Sequence, residues 1–213
     1  MDLDQLLQRP EAARDEAWEQ AFFKAIVPAK VQMLADQAQP GPDGWPYLLL
    51  KTGGEQATEP FSRILDWTSG KGVGLALNTH KMVPDYVFTY GMIWNFVLTG
   101  YFVSPQTAAA PGKVEFAAAN DHLVGEPSPQ YLPPQVRSVL RDFLNAQGFK
   151  SPKVVVVTSR DYKTTDLVFS IESLNHLGPA HHRTFAEALS WFLPQHYSLI
   201  LGSESDFGGF VEL

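Results

Sequence analysis

Residues 154–171 read VVVVTSRDYKTTDLVFSI, and the architecture follows from how they divide. Val154-Val155-Val156-Val157 is a continuous β-branched run, the pattern of a strand covered on both faces. Arg160 to Thr165 is a polar turn, after which Leu167-Val168-Phe169-Ser170-Ile171 resumes as a second strand. Upstream, Pro133-Pro134 opens a helix whose apolar face is Val136, Val139, Leu140, Phe143 and Leu144, and Gly148 stops it. Downstream, a helix from Thr184 carries Phe185, Ala188, Leu189 and Phe192 and hands over to the strand Tyr197-Ser198-Leu199-Ile200-Leu201. Helix, strand, strand, helix, strand is the order of a compact α+β lobe.

The N-terminal half repeats this mixture with different spacing. Leu3, Leu6 and Leu7 stand at helical intervals, and Pro10 is suited to begin a second helix because its missing N–H is not needed there. In that helix Trp18, Phe22 and Ile26 recur every four residues, and Pro28 ends it. Val31-Gln32-Met33-Leu34 and Pro46 to Thr52 read as strands joined through the Pro40 to Gly44 turn region. A short helix through Phe61, Ile64 and Leu65 precedes a strand from Val73 to Asn78. From Tyr86 to Phe102 aromatic and β-branched residues compete with a helical run between Gly91 and Leu98, and the block reads as helix. Val114 to Ala117 reads as a strand, and Glu126-Pro127-Ser128-Pro129 is the clearest linker. The expected fold is α+β in two small mixed lobes, residues 1–126 and 127–213, each a short sheet packed with helices.

Charge and composition narrow the function classes. The formal net charge is -7, so the average field repels phosphate backbones and anionic headgroups, arguing against nucleic acid and membrane surfaces as partners. There is no cysteine, which removes disulfides, thiolate metal sites and cysteine nucleophiles together. The N-terminus is acidic where a secretory signal is basic, and no apolar stretch approaches the roughly 20 residues of a bilayer-spanning helix. A cytoplasmic location is the expectation.

Several local strings, in this order, resemble the SseB family, named for enhanced serine sensitivity in bacteria. The opening is similar in its Leu-rich turn, its Ala21-Phe22-Phe23 helix and a strand bearing Val31. The middle is similar from Pro60-Phe61 to Leu77-Asn78, and the far lobe in the Leu132-Pro133-Pro134 helix start, the valine strand and Phe169-Ser170-Ile171-Glu172. A helical segment expected after the Tyr47 strand is missing, and the Tyr86 to Phe102 block has no counterpart. The resemblance implies an N-terminal lobe of altered shape and a two-lobed cytoplasmic protein. It implies no established chemistry, only a general expectation of protein partners.

No motif carries a reaction or calls for a cofactor. His181-His182, with His176 and His196 nearby in sequence, is the only cluster of metal-capable residues, but adjacent histidines diverge on a helix or strand, so no metal site is expected. Thr68 to Gly72 has phosphate-loop composition but stands after a helix and before a strand, the reverse of the order that aims helix N–H groups at phosphate. Ser159-Arg160-Asp161 offers a nucleophile and a carboxylate with no histidine at hand. No catalytic residue is therefore assigned.

The densest polar group beside a strand end is Asn78, Thr79, His80, Lys81, Asp85 and Tyr86, a place where α and β folds seat ligands. The candidate ligand or partner residues are accordingly His80, Lys81, Asp85 and Tyr86 from this loop, and Tyr90, Trp94, Tyr101 and Phe210 as aromatic anchors if the aromatic block is surface rather than core. The C-terminal Phe207 to Leu213 is apolar and docks either on its own body or on another. The expected function is that of a non-enzymatic, SseB-like cytoplasmic protein working through protein contacts; the alternatives are a small-ligand protein or enzyme using the His80–Tyr86 loop, and an accessory or immunity-type protein whose acidity suits a basic toxin.

Overall fold

The computed structural model describes residues 2–104, 122–160 and 164–213. The chain forms two compact units, Met1–Phe102 and Val103–Leu213. The strand expected at Val114 to Ala117 and the carboxylate of Asp161 lie outside the described residues.

In the first unit, α1 (Leu3–Leu7) is capped by Asp2, whose carboxylate accepts the Gln5 N–H. Pro10 does not open the second helix. It precedes a single 3-10 turn, Glu11–Ala13, and Arg14 then leaves helical geometry. The helix α2 (Glu16–Ile26) starts only where Asp15 accepts the Trp18 N–H, with Glu16 and Glu19 complementing the dipole in its first turn. It buries Trp18, Phe22, Phe23 and Ile26.

Six strands make the sheet of this unit: β1 (Lys30–Met33), β2 (Gln39–Pro40), β3 (Pro46–Thr52), β4 (Glu59–Pro60), β5 (Gly74–Leu77) and β6 (Tyr86–Phe88). Their order is β4-β1-β3-β5-β6, with β2 also on β3. The β3 to β5 pair is parallel and needs a crossover, which the amphipathic α3 (Phe61–Thr68) supplies by burying Phe61, Ile64, Leu65 and Thr68. β5 is buried along its length, as a central strand covered on both sides must be. Tyr47 on β3 lies opposite Gly74, and a Cβ at Gly41 or Gly74 would meet its ring at 2.8 or 2.7 Å, so the two glycines make room for the ring.

The block from Tyr86 to Phe102 is not one helix. Tyr86–Phe88 is the edge strand β6, antiparallel to β5. Thr89 then accepts the Met92 N–H through its hydroxyl and starts α4 (Tyr90–Thr99), which Gly100 ends at a φ of 81°. Much of the aromatic supply serves one cluster, in which the Phe88 ring lies 4.9 Å from Phe102, 5.4 Å from Phe61 and 6.1 Å from Phe22 between centroids.

The second unit holds β7 (His122–Gly125), α5 (Pro134–Ala146), β8 (Lys153–Ser159), β9 (Thr165–Ser170), α6 (Pro179–Ser190), β10 (Ser198–Gly202) and β11 (Val211–Glu212). The sheet runs β10-β9-β8-β11, with β7 also on β8. β8 and β9 are antiparallel, and α6 crosses between the parallel β9 and β10. The division between units falls after Phe102, ahead of the Glu126 linker, and His122–Gly125 pairs with Val156 to Ser159 in the second sheet. The last helix starts at Pro179 rather than Thr184, because proline fits the first helical turn, and His181 and His182 are inside it. The C-terminal tail docks on its own unit: Val211 and Glu212 pair with Val154 and Lys153, the Leu213 N–H donates to Pro152, and Phe207 and Phe210 pack on Val155, Val157 and Val168.

Candidate functional site

The connection from β5 to β6 is built around two side chains, Asn78 and Asp85. Asn78 takes the left-handed conformation, φ 59°, that turns the chain out of β5. The Asp85 N–H donates to the Leu77 carbonyl and closes the loop. The Asn78 amide then staples both ends: it donates to Asp85 Oδ2 at 2.7 Å and to Thr52 Oγ1 at 2.9 Å, and its oxygen accepts the Thr52 N–H at 2.8 Å.

Asp85, with a side chain only 5% exposed, also receives Lys81 Nζ at 2.5 Å and Arg14 Nη2 at 3.1 Å. Arg14 reaches it from the segment before α2 and donates further to the carbonyls of Asp85, Leu7 and Arg9. Its guanidinium lies over the Trp18 ring at 4.8 Å. One residue on, the Tyr86 hydroxyl donates to Glu19 Oε1 at 2.5 Å, tying β6 to α2.

These contacts decide what the loop can do chemically. Burial pushes the Asp85 carboxyl up, but hydrogen bonds from Lys81, Asn78 and Arg14 and the Lys81 charge outweigh it and hold the group below its ordinary value. Asp85 is therefore ionised at neutral pH, with its oxygens already occupied. Burial and the Glu19 carboxylate both push the Tyr86 phenol well above its ordinary value, so it stays protonated as a donor. Neither is poised near neutrality, as a general acid or base needs to be.

Beside this network lies a cleft of about 560 Å³ between the start of α2 and the loop before β6. Glu11, Asp15, Glu16, Glu19, Asp85 and Arg14 supply its polar lining. Val83 and Pro84 line it from the loop. At the tip of the loop Met82 is 100% exposed and Val83 58%.

The structure thus brings together Lys81, Asp85 and Tyr86 from the expected set. His80 is exposed and does not line the cleft. Tyr90 and Trp94, expected as anchors if the block were surface, are core at 0% and 2% exposure, and the Tyr90 hydroxyl donates to the Ser69 carbonyl. A side chain so buried meets no partner while the unit is folded. Tyr101 is 56% exposed, beside the exposed Val97 and Leu98 at the end of α4. Phe210 packs against its own sheet and is not a free anchor. Sequence reasoning missed Arg14 and Glu19, which meet the loop across sequence separations of 71 and 67 residues with no local signal.

A second polar cluster sits at the carboxyl ends of β9 and β10 in the other unit. Ser203 Oγ and the Glu204 N–H donate to Glu172, and Ser170 Oγ and Lys153 Nζ donate to Glu204. The Ser203 bond first, with the backbone N–H groups, holds the Glu172 carboxyl down at about 2. Its donors and acceptors are spent on joining two strand ends. His182 Nε2 is engaged with the Leu177 carbonyl. Among the described residues no three histidine, aspartate or glutamate side chains are placed to share one metal ion, and no helix is long and apolar enough to cross a membrane.

No family model, no curated protein and no solved structure matches this chain.

Proposed function

We propose that this chain is a non-enzymatic, SseB-like bacterial protein of the cytoplasm that acts by binding another protein. One observation carries the reading: a loop braced from within by Asp85 and Asn78 presents the apolar tip of Met82 and Val83 to water. An apolar side chain held out by a fixed backbone binds with little ordering cost, and methionine is enriched at protein interfaces and adapts to irregular surfaces. The occupied state of Asp85 and Tyr86 supports a structural loop over a catalytic one.

The test is affinity capture from native cytosol with wild type, a Met82→Ser, Val83→Ser double variant and His80→Ala, each checked for folding by circular dichroism. A stable protein partner lost only with the double variant supports the reading. A partner retained by it removes the tip as anchor. A co-purifying small molecule without a protein partner replaces the reading with a ligand-binding one.

A further inference from the structure

We infer that the cleft between the start of α2 and the β5–β6 loop receives a lysine or arginine side chain from a basic and apolar segment of the partner protein. The inference rests on the protein-binding reading and names the chemistry of the partner. It begins from the balance of charge. Asp85 is matched by Arg14 and Lys81, and Asp15 and Glu19 are engaged with the Trp18 N–H and the Tyr86 hydroxyl. The side chains of Glu11 and Glu16 are exposed, and their carboxylates accept no hydrogen bond and form no ion pair among the described residues.

Helix capping accounts for part of this acidity, since Asp15, Glu16 and Glu19 stand where carboxylates stabilise a helix N-terminus. It does not account for Glu11, which lies in the 3-10 turn ahead of α2 and faces the same cleft. The four carboxylates outside the Asp85 network and the absence of a free cation in the lining give the cleft a negative field that complements a cationic side chain. Anionic and neutral ligands lack that attraction.

The apolar rim favours a peptide over a small free cation. Val83 lines the cleft while Met82 stands fully exposed beside it in sequence. A segment that places its cation among Glu11, Glu16 and Glu19 can cover Met82 and Val83 with a neighbouring apolar residue. A polyamine would leave them wet.

The test is fluorescence anisotropy on the full chain with a labelled peptide of alternating leucine and lysine, beside peptides in which glutamine replaces lysine or serine replaces leucine. Expected is binding of the leucine–lysine peptide alone, weakening as salt rises, and a further loss of about twofold to thirtyfold with Glu11→Gln plus Glu16→Gln, two exposed charges contributing modestly each. No binding, equal binding by the glutamine peptide, or no effect of the double substitution overturns it. Serine–lysine binding as tight as leucine–lysine, with displacement by spermine, overturns it in favour of a small-cation site. If cytosolic capture is lost with Met82→Ser plus Val83→Ser but survives Glu11→Gln plus Glu16→Gln, this inference falls while the protein-binding reading stands.

Discussion

Replacing Asp85 by asparagine preserves the shape of the loop and removes the charge that organises it. Breaking a buried ion pair by removing one partner costs about 3–5 kcal/mol, because the remaining charge is left uncompensated. Two features lower that figure here. Lys81 is 43% exposed and turns to water, so its share is at most about 1 kcal/mol. Arg14 keeps the Asp85, Leu7 and Arg9 carbonyls as acceptors. What is lost is the charge-assisted part of the Arg14 and Asn78 bonds, for a net loss of about 2–3 kcal/mol.

Urea unfolding followed by tryptophan fluorescence reads this well, since Trp18, Trp45, Trp67 and Trp94 lie in the first unit and only Trp191 in the second. At about 1–3 kcal/mol per molar urea the midpoint falls by about 1 M. The pH dependence has a definite sign. Because the folded-state pKa of Asp85 lies below its ordinary value, its contribution is complete above the ordinary carboxylate range and disappears as pH falls through the folded pKa. Wild type and Asp85→Asn should therefore converge in strong acid. A loss under about 0.5 kcal/mol at pH 7, the scatter of a neutral surface change, would refute the bracing role.

Three further outcomes follow from named contacts. Trp94→Ala should lose about 3–5 kcal/mol or fail to fold, read by the same urea titration, because the side chain is core. Gly74→Ala should lose about 1–3 kcal/mol by thermal or urea unfolding, since its Cβ would sit 2.7 Å from the Phe88 carbonyl oxygen and from the Tyr47 ring. Ser203→Ala should raise the Glu172 carboxyl from about 2 toward the ordinary carboxylate range in a carbon-detected NMR titration, because the Ser203 hydroxyl is the first of the donors that hold it down.

What could be read from sequence alone divides along physical lines. The valine run, the Pro134 helix and the strand at Gly74 to Leu77 were legible because apolar runs, proline starts and glycine stops act locally. The split of the aromatic block was not. Three strand residues ahead of Thr89 are too few to show a period, and only pairing with β5 fixes them as strand. The apolar tail posed a choice that its own residues leave undecided, because its partner strand is supplied by β8. Of the site, the His80–Tyr86 loop stood out as a polar cluster beside a strand end. Its brace did not, since Arg14 and Glu19 arrive from far along the chain. Met82 and Val83 are ordinary apolar letters until the fold leaves them outside.

The central claim is that the braced tip of the β5–β6 loop contacts another protein, and capture from native cytosol with folded wild type and the Met82→Ser, Val83→Ser variant tests it most directly. The account predicts one stable protein partner on the wild type that is absent from the variant. Equal recovery of that partner by both, with both folded, would contradict it.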